Sequence, residues 1–332
     1  MTVLLTGAAG FIGHHVARAL LERGERVVGI DNFNTYYDPR LKRDRVAQLD
    51  GFAARDMFRL LECDFADATA LGAATAELTI DRVVHLGAQP GVRYSITHPQ
   101  AYIASNLVGH ANMLELARHA GVRHLVYASS SSVYGNSAAV PFSVEQRVDH
   151  PVSLYAATKK ADELLTETYA NLYRLPSTGL RFFTVYGRWG RPDMAVWDFT
   201  RRVLSGERIP VFNHGRMRRD FTHISDIVAG VLAALDRPPQ DDGEIKPGGS
   251  IAPHNIYNLG NSRSEELLAM IRVVEAACGR EALIDMLPMQ PGEVIETYAD
   301  IDVSRRDLSY DPGTAIAEGI PDFVDWFRNY RD

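Results

Sequence analysis

The run "TVLLT" at positions 2–6 is followed at once by Gly7, Gly10 and Gly13, which open the helical pattern "FIGHHVARALLERG". No other stretch constrains the chain as strongly. A short apolar strand that ends in a glycine turn and feeds a helix opens a parallel strand–helix–strand unit. The glycines let backbone N–H groups come close to a bound group, and the helix N-terminus adds partial positive charge. That arrangement suits an anion, above all a pyrophosphate. As a bare G-x-x-G-x-x-G pattern it also fits an ordinary tight turn. Its place between strand and helix is what gives it weight.

The alternation continues. "RVVGID" at 26–31, "MFRLLECD" at 57–64, "RVVHLGA" at 82–88 and "HLVYASS" at 124–130 are further apolar runs, and "NLVGHANMLELARHAG" at 106–121 is a long helical stretch. Strands alternating with helices predict an α/β fold, a doubly wound and mostly parallel sheet with right-handed crossovers. A helix from Ser153 to Leu175 and the run "STGLRFFTVYG" at 177–187 extend the pattern. Past Gly187 it loosens: "GRWGRPDM" reads as a loop, "VWDFTRRVLSG" as a helix, and 238–255 as a long polar surface loop. Ser262 and Glu265 make an S-x-x-E capping box, which predicts a helix starting there. The expected organisation is a large N-terminal nucleotide-type domain, residues 1–187, and a smaller C-terminal α/β domain, residues 188–332, which completes a cleft. Segments of the two are expected to interleave. No internal repeat or low-complexity tract is present.

Asp31 ends the second run, eighteen residues past Gly13. A carboxylate there accepts hydrogen bonds from both hydroxyls of an adenosine ribose and repels a 2′-phosphate, which favours NAD over NADP. Strand, glycine turn and acid together predict a Rossmann-type dinucleotide site; the alternative is a tight turn and a surface aspartate. Asp64 and Phe65, after the third strand, are placed to flank the adenine, although an aspartate there is also a common turn residue.

Composition limits the partners. With 35 Lys and Arg against 42 Asp and Glu, the net charge is −7. That argues against a general nucleic-acid partner and leaves room for a local basic pocket. Cys63 and Cys278, far apart in sequence, read as reduced, buried thiols, not as a disulfide or a metal site. No basic region followed by a long apolar run opens the chain, and no stretch reaches the roughly 18 apolar residues a spanning helix needs. A cytoplasmic protein without metal or membrane contact is expected.

"YASSSSVYG" at 127–135 ends a strand at the carboxyl edge of the sheet, where open α/β sheets bind ligands. Tyr155 and Lys159 follow, one helical turn apart on one face. An unperturbed tyrosine titrates near about 10 and is a poor base at neutral pH. A neighbouring ammonium and an oxidised nicotinamide ring both favour the phenolate. Such a tyrosine takes the proton of an alcohol as hydride leaves its carbon, while a serine such as Ser130 holds the oxygen. Taken alone, the pair fits a half-buried tyrosine on an amphipathic helix. The glycine turn and the serine strand end favour chemistry.

With these residues in view, the chain resembles the extended short-chain dehydrogenase/reductase family, and within it the nucleotide-sugar 4-epimerases. "TGAAGFIG", "GIDN", "SSSSVYG", "YAATKKADE", "LRFFTVYG", "RRDFTHISDI" and "YNLGN" carry the likeness over nearly the whole chain. "DNFNTYYDPRLKRDRV", "GVRYSITHP", "FFTVYGRWGRPDMA" and "MLPMQPGE" are most similar to the UDP-glucuronate 4-epimerases. The resemblance implies NAD bound tightly by Gly7, Gly10, Phe11, Ile12, Gly13, Asp31, Asn32, Asp64 and Phe65, and by Leu86, Gly87, Ala88, Gln89, Asn106, Tyr155 and Lys159. It implies a UDP-sugar in the C-terminal cleft, touched by Arg93, Ser130, Ser131, Ser132, Thr184, Arg191, Val211, Phe212, Arg219, Gln290 and Glu293. Tyr155, Lys159 and Ser130 match the family's catalytic trio. Two departures stand out: Arg188 replaces the usual proline, and Gly87-Ala88-Gln89-Pro90 replaces the usual "AAQA" before "GVRYS".

Sister enzymes of the family that eliminate water carry an Asp-Glu pair after the catalytic serine or threonine, and related decarboxylases place a glutamate nearby. The matching positions here are Ser131 and Ser132, which lack a carboxylate. The expected reaction is the interconversion of UDP-glucuronate and UDP-galacturonate. Tyr155 takes the C4 proton as the C4 hydride passes to NAD, the 4-keto sugar turns, and the hydride returns to its other face. A 4-keto uronate is a β-keto acid, prone to lose CO2. Hydroxyls of Ser131, Ser132 and Thr184 are expected to hold the carboxylate out of alignment; the alternative is that they bond only local backbone. Arg219 and Arg191 are candidates for the diphosphate, since a guanidinium fork matches phosphate oxygens. Gln290 and Glu293 resemble positions near the phosphates and uridine ribose.

Other readings keep part of this. A UDP-galactose or UDP-N-acetylhexosamine 4-epimerase shares the fold but has no need of several hydroxyl donors around C6. A silent NAD sensor would have lost Tyr155 or Lys159. An NAD-linked dehydrogenase would accumulate NADH. The resemblance further implies a homodimer paired through the helix at 106–121 and the helix that carries Tyr155.

Overall fold

The computed structural model describes residues 1–331 except 53, 55, 138, 291 and 293. Strands β1 (Thr2–Thr6), β2 (Arg26–Asp31), β3 (Phe58–Glu62), β4 (Arg82–His85), β5 (His124–Ser130) and β6 (Ser177–Phe182) alternate with helices. These helices are α1 (Phe11–Glu22), α2 (Pro39–Phe52), α3 (Ala68–Thr75), α4 (Val92–Thr97), α5 (Pro99–Tyr102), α6 (Gly109–Ala120) and α7 (Leu154–Tyr173). A wider π-type turn, Ile103–Val108, joins α5 to α6.

The later residues supply β7 (Thr184–Tyr186), α8 (Ala195–Ser205), β8 (Arg208–Val211), β9 (Arg218–Arg219), β10 (Phe221–His223) and α9 (Ile224–Leu235). They continue with β11 (His254–Leu259), β12 (Glu265–Glu266), α10 (Leu267–Cys278), β13 (Leu283–Met286), α11 (Asp302–Leu308) and α12 (Ile316–Arg331).

Seven strands form one sheet in the order β11-β6-β5-β4-β1-β2-β3. Every pairing in it is parallel. This is the doubly wound, Rossmann-type sheet expected from the alternating pattern. Val3, Leu4 and Leu5 of β1 are each 0% exposed, because helices cover both faces and both side-chain directions are buried. Full burial of such side chains contributes about 1.5–3 kcal/mol each. The order reverses between β1 and β4, which opens a crevice at their carboxyl ends. β11 comes from the later half yet pairs with β6, so the chain re-enters the first sheet after leaving it.

A second apolar core gathers Trp197, Phe221, Ile271 and Phe323 from α8, β10, α10 and α12. Three two-stranded pairings, β7 with β10, β8 with β13 and β9 with β12, complete this half.

Two expectations change. The run 177–187 is not one strand: Phe183 N–H still bonds Leu259 O of β11 (3.1 Å), but Thr184 N–H turns to Asp220 O (3.1 Å), so the chain leaves the sheet after Phe183. The capping box at Ser262 does not start a helix. Asp220 Oδ2 accepts from Ser262 N–H at 3.1 Å, Ser262 sits at φ +53°, and α10 begins five residues later. Glu265 and Glu266 instead pair antiparallel with Arg219 and Arg218. Opposite charges facing each other across strands favour that choice.

Candidate active site

The glycine turn lies between β1 and α1. Gly7 has φ +69°, and a Cβ there would sit 2.9 Å from Gly87 N; a Cβ on Gly13 would sit 2.0 Å from Gly7 O. Only glycine lets β1, α1 and the loop after β4 converge so closely. Gly10 caps α1 with no side-chain acceptor, and the first turn carries no acidic residue. The N–H groups of Phe11, Ile12 and Gly13 therefore have no intrahelical acceptor and offer themselves to an anion.

Asp31, at the end of β2, is buried. Its Oδ2 accepts from Ala9 N–H (3.2 Å), and its Oδ1 accepts from Phe33 N–H (2.9 Å) and from Lys42 Nζ (3.4 Å). Lys42 was not anticipated from the pattern of residues, because it reaches Asp31 from a separate helix. Asn32 Nδ2 donates to Asp64 Oδ2 at 3.0 Å. Phe65 is buried edge-on to His85 and touches both Gly87 and Gly109, where a Cβ would collide with its ring.

β5 delivers the serines. Ser130 Oγ accepts from Ser132 N–H (3.2 Å) and from Ser132 Oγ (2.9 Å), closing a short 3-10 turn over residues 131–134. Ser129 Oγ donates to Glu163 Oε1 at 2.7 Å. Glu163 in turn takes Arg181 Nε (2.8 Å) and Nη2 (2.9 Å), so a buried ion pair braces β5, β6 and α7 against one another. Burial pushes the Glu163 carboxyl up, but the Arg181 guanidinium outweighs it and holds the group at about 2.

α7 starts at Ser153, whose Oγ accepts from Ala156 N–H at 3.1 Å. The cap sets the helix phase, and Tyr155 and Lys159 face the cavity together with Ser130. Lys159 Nζ donates to Ala128 O (2.9 Å) and to Asp162 Oδ2 (3.1 Å). Asp162 was not singled out from the sequence, because an acid three residues past a lysine on a helix usually faces water. The Tyr155 ring stands edge-on to Tyr102 at 6.1 Å, and Tyr102 OH donates to Pro90 O at 2.7 Å.

The rest of the wall draws on both halves. Thr184 lies two residues past Phe182, the register partner of Ser130. Arg191 makes two contacts to Asp193, 3.0 Å and 2.6 Å, and Tyr36 OH donates to Asp193 at 3.0 Å. The Arg93 guanidinium covers the Phe212 ring at 4.4 Å. Arg219 Nη1 donates to Arg218 O (2.8 Å) and Ile295 O (3.0 Å).

One cavity of about 910 Å³ joins these parts. Its wall includes the glycine turn with Asp31, Asn32 and Phe65; Leu86, Gly87 and Ala88 after β4; the serines with Tyr155 and Lys159; and Thr184, Arg93, Arg191, Phe212 and Arg219. Five anticipated residues stand back from the wall. Asp64 caps its own turn by accepting from Ala66 N–H. Gln89 and Asn106 bond each other behind the wall, where Asn106 also donates to Thr158 Oγ1 at 3.0 Å. Val211 is buried in the second core, and Gln290 is half-buried outside the cavity. Glu293 lies outside the described residues. The glycine cradle, the open helix N-terminus and the buried acid at the end of β2 fit a dinucleotide, and Arg93, Arg191 and Arg219 in the same cavity fit a second anionic ligand.

A family model described as the NAD dependent epimerase/dehydratase family matches residues 3–260. A probable UDP-glucuronate 4-epimerase from Rhizobium meliloti (strain 1021) is 42% identical over 338 residues, 100% of this chain and 98% of that protein. UDP-glucuronate 4-epimerase 1 of Arabidopsis thaliana is 44% identical over 335 residues, 99% of this chain and 77% of that protein. The crystal structure of UDP-glucuronic acid 4-epimerase from Bacillus cereus in complex with UDP-glucuronic acid and NAD superposes with a TM-score of 0.87 at 32% identity, covering 99% of this chain and 100% of that one.

Proposed function

The chain belongs to the NAD dependent epimerase/dehydratase family, and from that premise we propose that it is an NAD-dependent 4-epimerase interconverting UDP-glucuronate and UDP-galacturonate. The observation that carries the reading is the single cavity in which the glycine turn meets Ser130, Tyr155 and Lys159, with Ser131 and Ser132 where an eliminating enzyme needs carboxylates. The full-length likeness to UDP-glucuronate 4-epimerases supports the uronate over a neutral hexose.

In this reading Gly7, Gly10 and the N–H groups of Phe11, Ile12 and Gly13 hold the diphosphate of NAD, and Asp31 holds its adenosine ribose. NAD bound there supplies a reversible acceptor for the C4 hydride. Tyr155 takes the C4 hydroxyl proton and returns it, and Ser130 holds the same oxygen. Lys159, fixed by Ala128 O and Asp162, keeps positive charge beside the phenol. Ser131, Ser132 and Thr184 hold the sugar carboxylate, and Arg93, Arg191 and Arg219 face the uridine diphosphate. Residues 1–187 serve mainly the dinucleotide and 188–332 mainly the UDP-sugar, with β11 as the interleaved segment.

The active unit in this proposal is a homodimer paired through α6 and α7. Leu164, Leu172 and Tyr173 of α7 are exposed (57%, 62% and 44%), as is Val108 (48%) just before α6. Two free, buried cysteines fit a reducing, cytoplasmic setting. The test is incubation of the purified protein with UDP-glucuronate and no added NAD, followed by separation of the sugars. UDP-galacturonate at equilibrium is expected. No conversion, or steady release of NADH, sinks the assignment.

A further inference from the structure

Arg45 of α2 is 0% exposed. Its Nη1 donates to Ala9 O (3.0 Å) and to the Tyr37 hydroxyl (2.7 Å). Its Nη2 donates to Trp189 O (2.6 Å) and Gly190 O (2.8 Å), and its Nε donates to Trp189 O (3.1 Å). None of these partners is a carboxylate. A buried guanidinium ordinarily sits on an acid, because an uncompensated charge away from water is costly. The acid that acts on Arg45 is Asp31, which already pairs with Lys42. Asp31, Lys42 and Arg45 thus carry two positive charges and one negative, with Asp31 and Lys42 on the cavity wall beside the glycine turn and Arg45 buried out of the cavity. Arg191 adds repulsion, and its own acid, Asp193, is taken up by Arg191 and Tyr36.

The five contacts also have a direction. Ala9 lies inside the glycine turn, so the Arg45 contact to its carbonyl ties α2 to that turn. Trp189 and Gly190 lead directly into Arg191 on the cavity wall. One side chain therefore ties the dinucleotide cradle to the strand of chain that carries a substrate-facing cation.

We propose that Arg45 is a positioning residue whose missing counter-charge is the diphosphate of the bound dinucleotide, and that through the Trp189 and Gly190 carbonyls it transmits the state of the glycine turn to the wall bearing Arg191. The inference rests on the dinucleotide reading of the glycine turn. It goes beyond it by assigning a charge that touches neither ligand. A fixed cation in a region of low dielectric acts on an anion over several ångströms and is little screened there. Coupling of this kind is reciprocal: the nucleotide orders the arginine wall, and occupation of that wall tightens the nucleotide.

The test uses the full chain with its bound nucleotide and measures the concentrations of ADP and of adenosine that displace half of it. The ratio of the two isolates the diphosphate, because any general weakening of the site moves both probes together. In Arg45→Gln the preference for ADP over adenosine is expected to fall by about tenfold. An unchanged ratio overturns the proposal. Should Arg45→Gln not accumulate as folded protein, Arg45→Lys decides. It keeps the charge and gives up the fork, so the ratio stays within about threefold of the parent while UDP binds about fivefold more weakly. Collapse of the ratio in Arg45→Lys, or unchanged UDP affinity, overturns it. A parent protein that holds no nucleotide and binds neither probe is a different failure, that of the dinucleotide reading itself.

Discussion

Lys159 Nζ lies 3.1 Å from Asp162 Oδ2, with the two side chains 5% and 1% exposed. The pair sits one turn along α7 from Tyr155, so the ammonium beside the phenol is itself held by a buried acid. The second oxygen of Asp162, Oδ1, has no hydrogen-bond partner among the described residues. Burial pushes the Asp162 carboxyl from 3.8 up to about 6, although Lys159 pulls it down. A native pKa above the unfolded one means that the folded state holds the proton more tightly, so this group's contribution to stability falls as pH rises from about 4 to about 6. Asp162→Asn removes that slope. Its unfolding free energy relative to the parent should rise with pH across the window by at most about 3 kcal/mol, above a constant offset set by the unpaired Lys159. Urea unfolding at both ends of the window measures it; parallel pH profiles for the two proteins would show that Asp162 does not titrate there.

Tyr155→Phe removes one hydroxyl from a half-buried ring that is already packed on Tyr102. Nucleotide content and melting temperature should stay at parental values, while kcat drops by about 10²–10⁴-fold, the range for loss of a general base. Retention of more than a tenth of the parental kcat, roughly one decade within that scale, would assign the proton to another group.

Glu163 is the brace beneath the serines. Its depressed pKa, about 2 against 4.5, gives stability that is fully present above about 4.5 and lost as pH falls towards 2. Glu163→Gln leaves Arg181 buried without an acid and frees Ser129, so at pH 7 it should cost about 3–5 kcal/mol. The gap between variant and parent should narrow below about pH 4. If thermal melts show a gap that is flat with pH, the ion pair is not what holds β5 to α7.

The parts of the site that could be read from the sequence are those whose geometry is local. The glycine turn, Asp31 at the end of β2, and the Tyr155–Lys159 pair each depend on a few neighbouring residues and on a strand or helix period. Contacts between distant segments were not readable. Lys42 reaches Asp31 from the first turn of α2, and Arg45 reaches Trp189 O across 144 positions. The capping box misled because Ser262 answers to Asp220, 42 positions away, before it can cap anything. Asn106 became a wall brace because its partners, Gln89 and Thr158, come from two other elements.

Leu164 and Leu172 are eight positions apart on α7, two helical turns, and so share a face. Each is more than half exposed. Two exposed leucines on one face of a long helix fit the proposed dimer contact through α7. The parent should be dimeric at micromolar concentration, and the double variant Leu164→Glu and Leu172→Glu should be monomeric there. Exposed substitutions of this kind cost the fold itself within about 0.5 kcal/mol. Light scattering decides, and a monomeric parent or a dimeric variant removes α7 from the interface.

Thr184 lines the cavity from β7, two residues past Phe182, the register partner of Ser130. In the 4-keto state the sugar is a β-keto acid, and CO2 leaves only when the breaking C–C bond lies along the carbonyl π system. In the proposed complex, hydroxyl donors from the serine turn and from Thr184 beside it oppose that rotation. Ser132 Oγ already donates to Ser130 Oγ at 2.9 Å, so within the serine turn its proton is engaged. In the proposed complex Thr184→Ala removes one hydrogen bond to a charged group, worth about 1.5–3 kcal/mol, and each change of about 1.4 kcal/mol is about tenfold in partition. The share of UDP-pentose among the products should therefore rise by about tenfold or more in Thr184→Ala, and less in Ser132→Ala, whose neighbour Ser131 remains. Chromatography of the sugar nucleotides resolves the products. A parental product ratio in both variants would mean that the carboxylate is restrained by groups other than these hydroxyls.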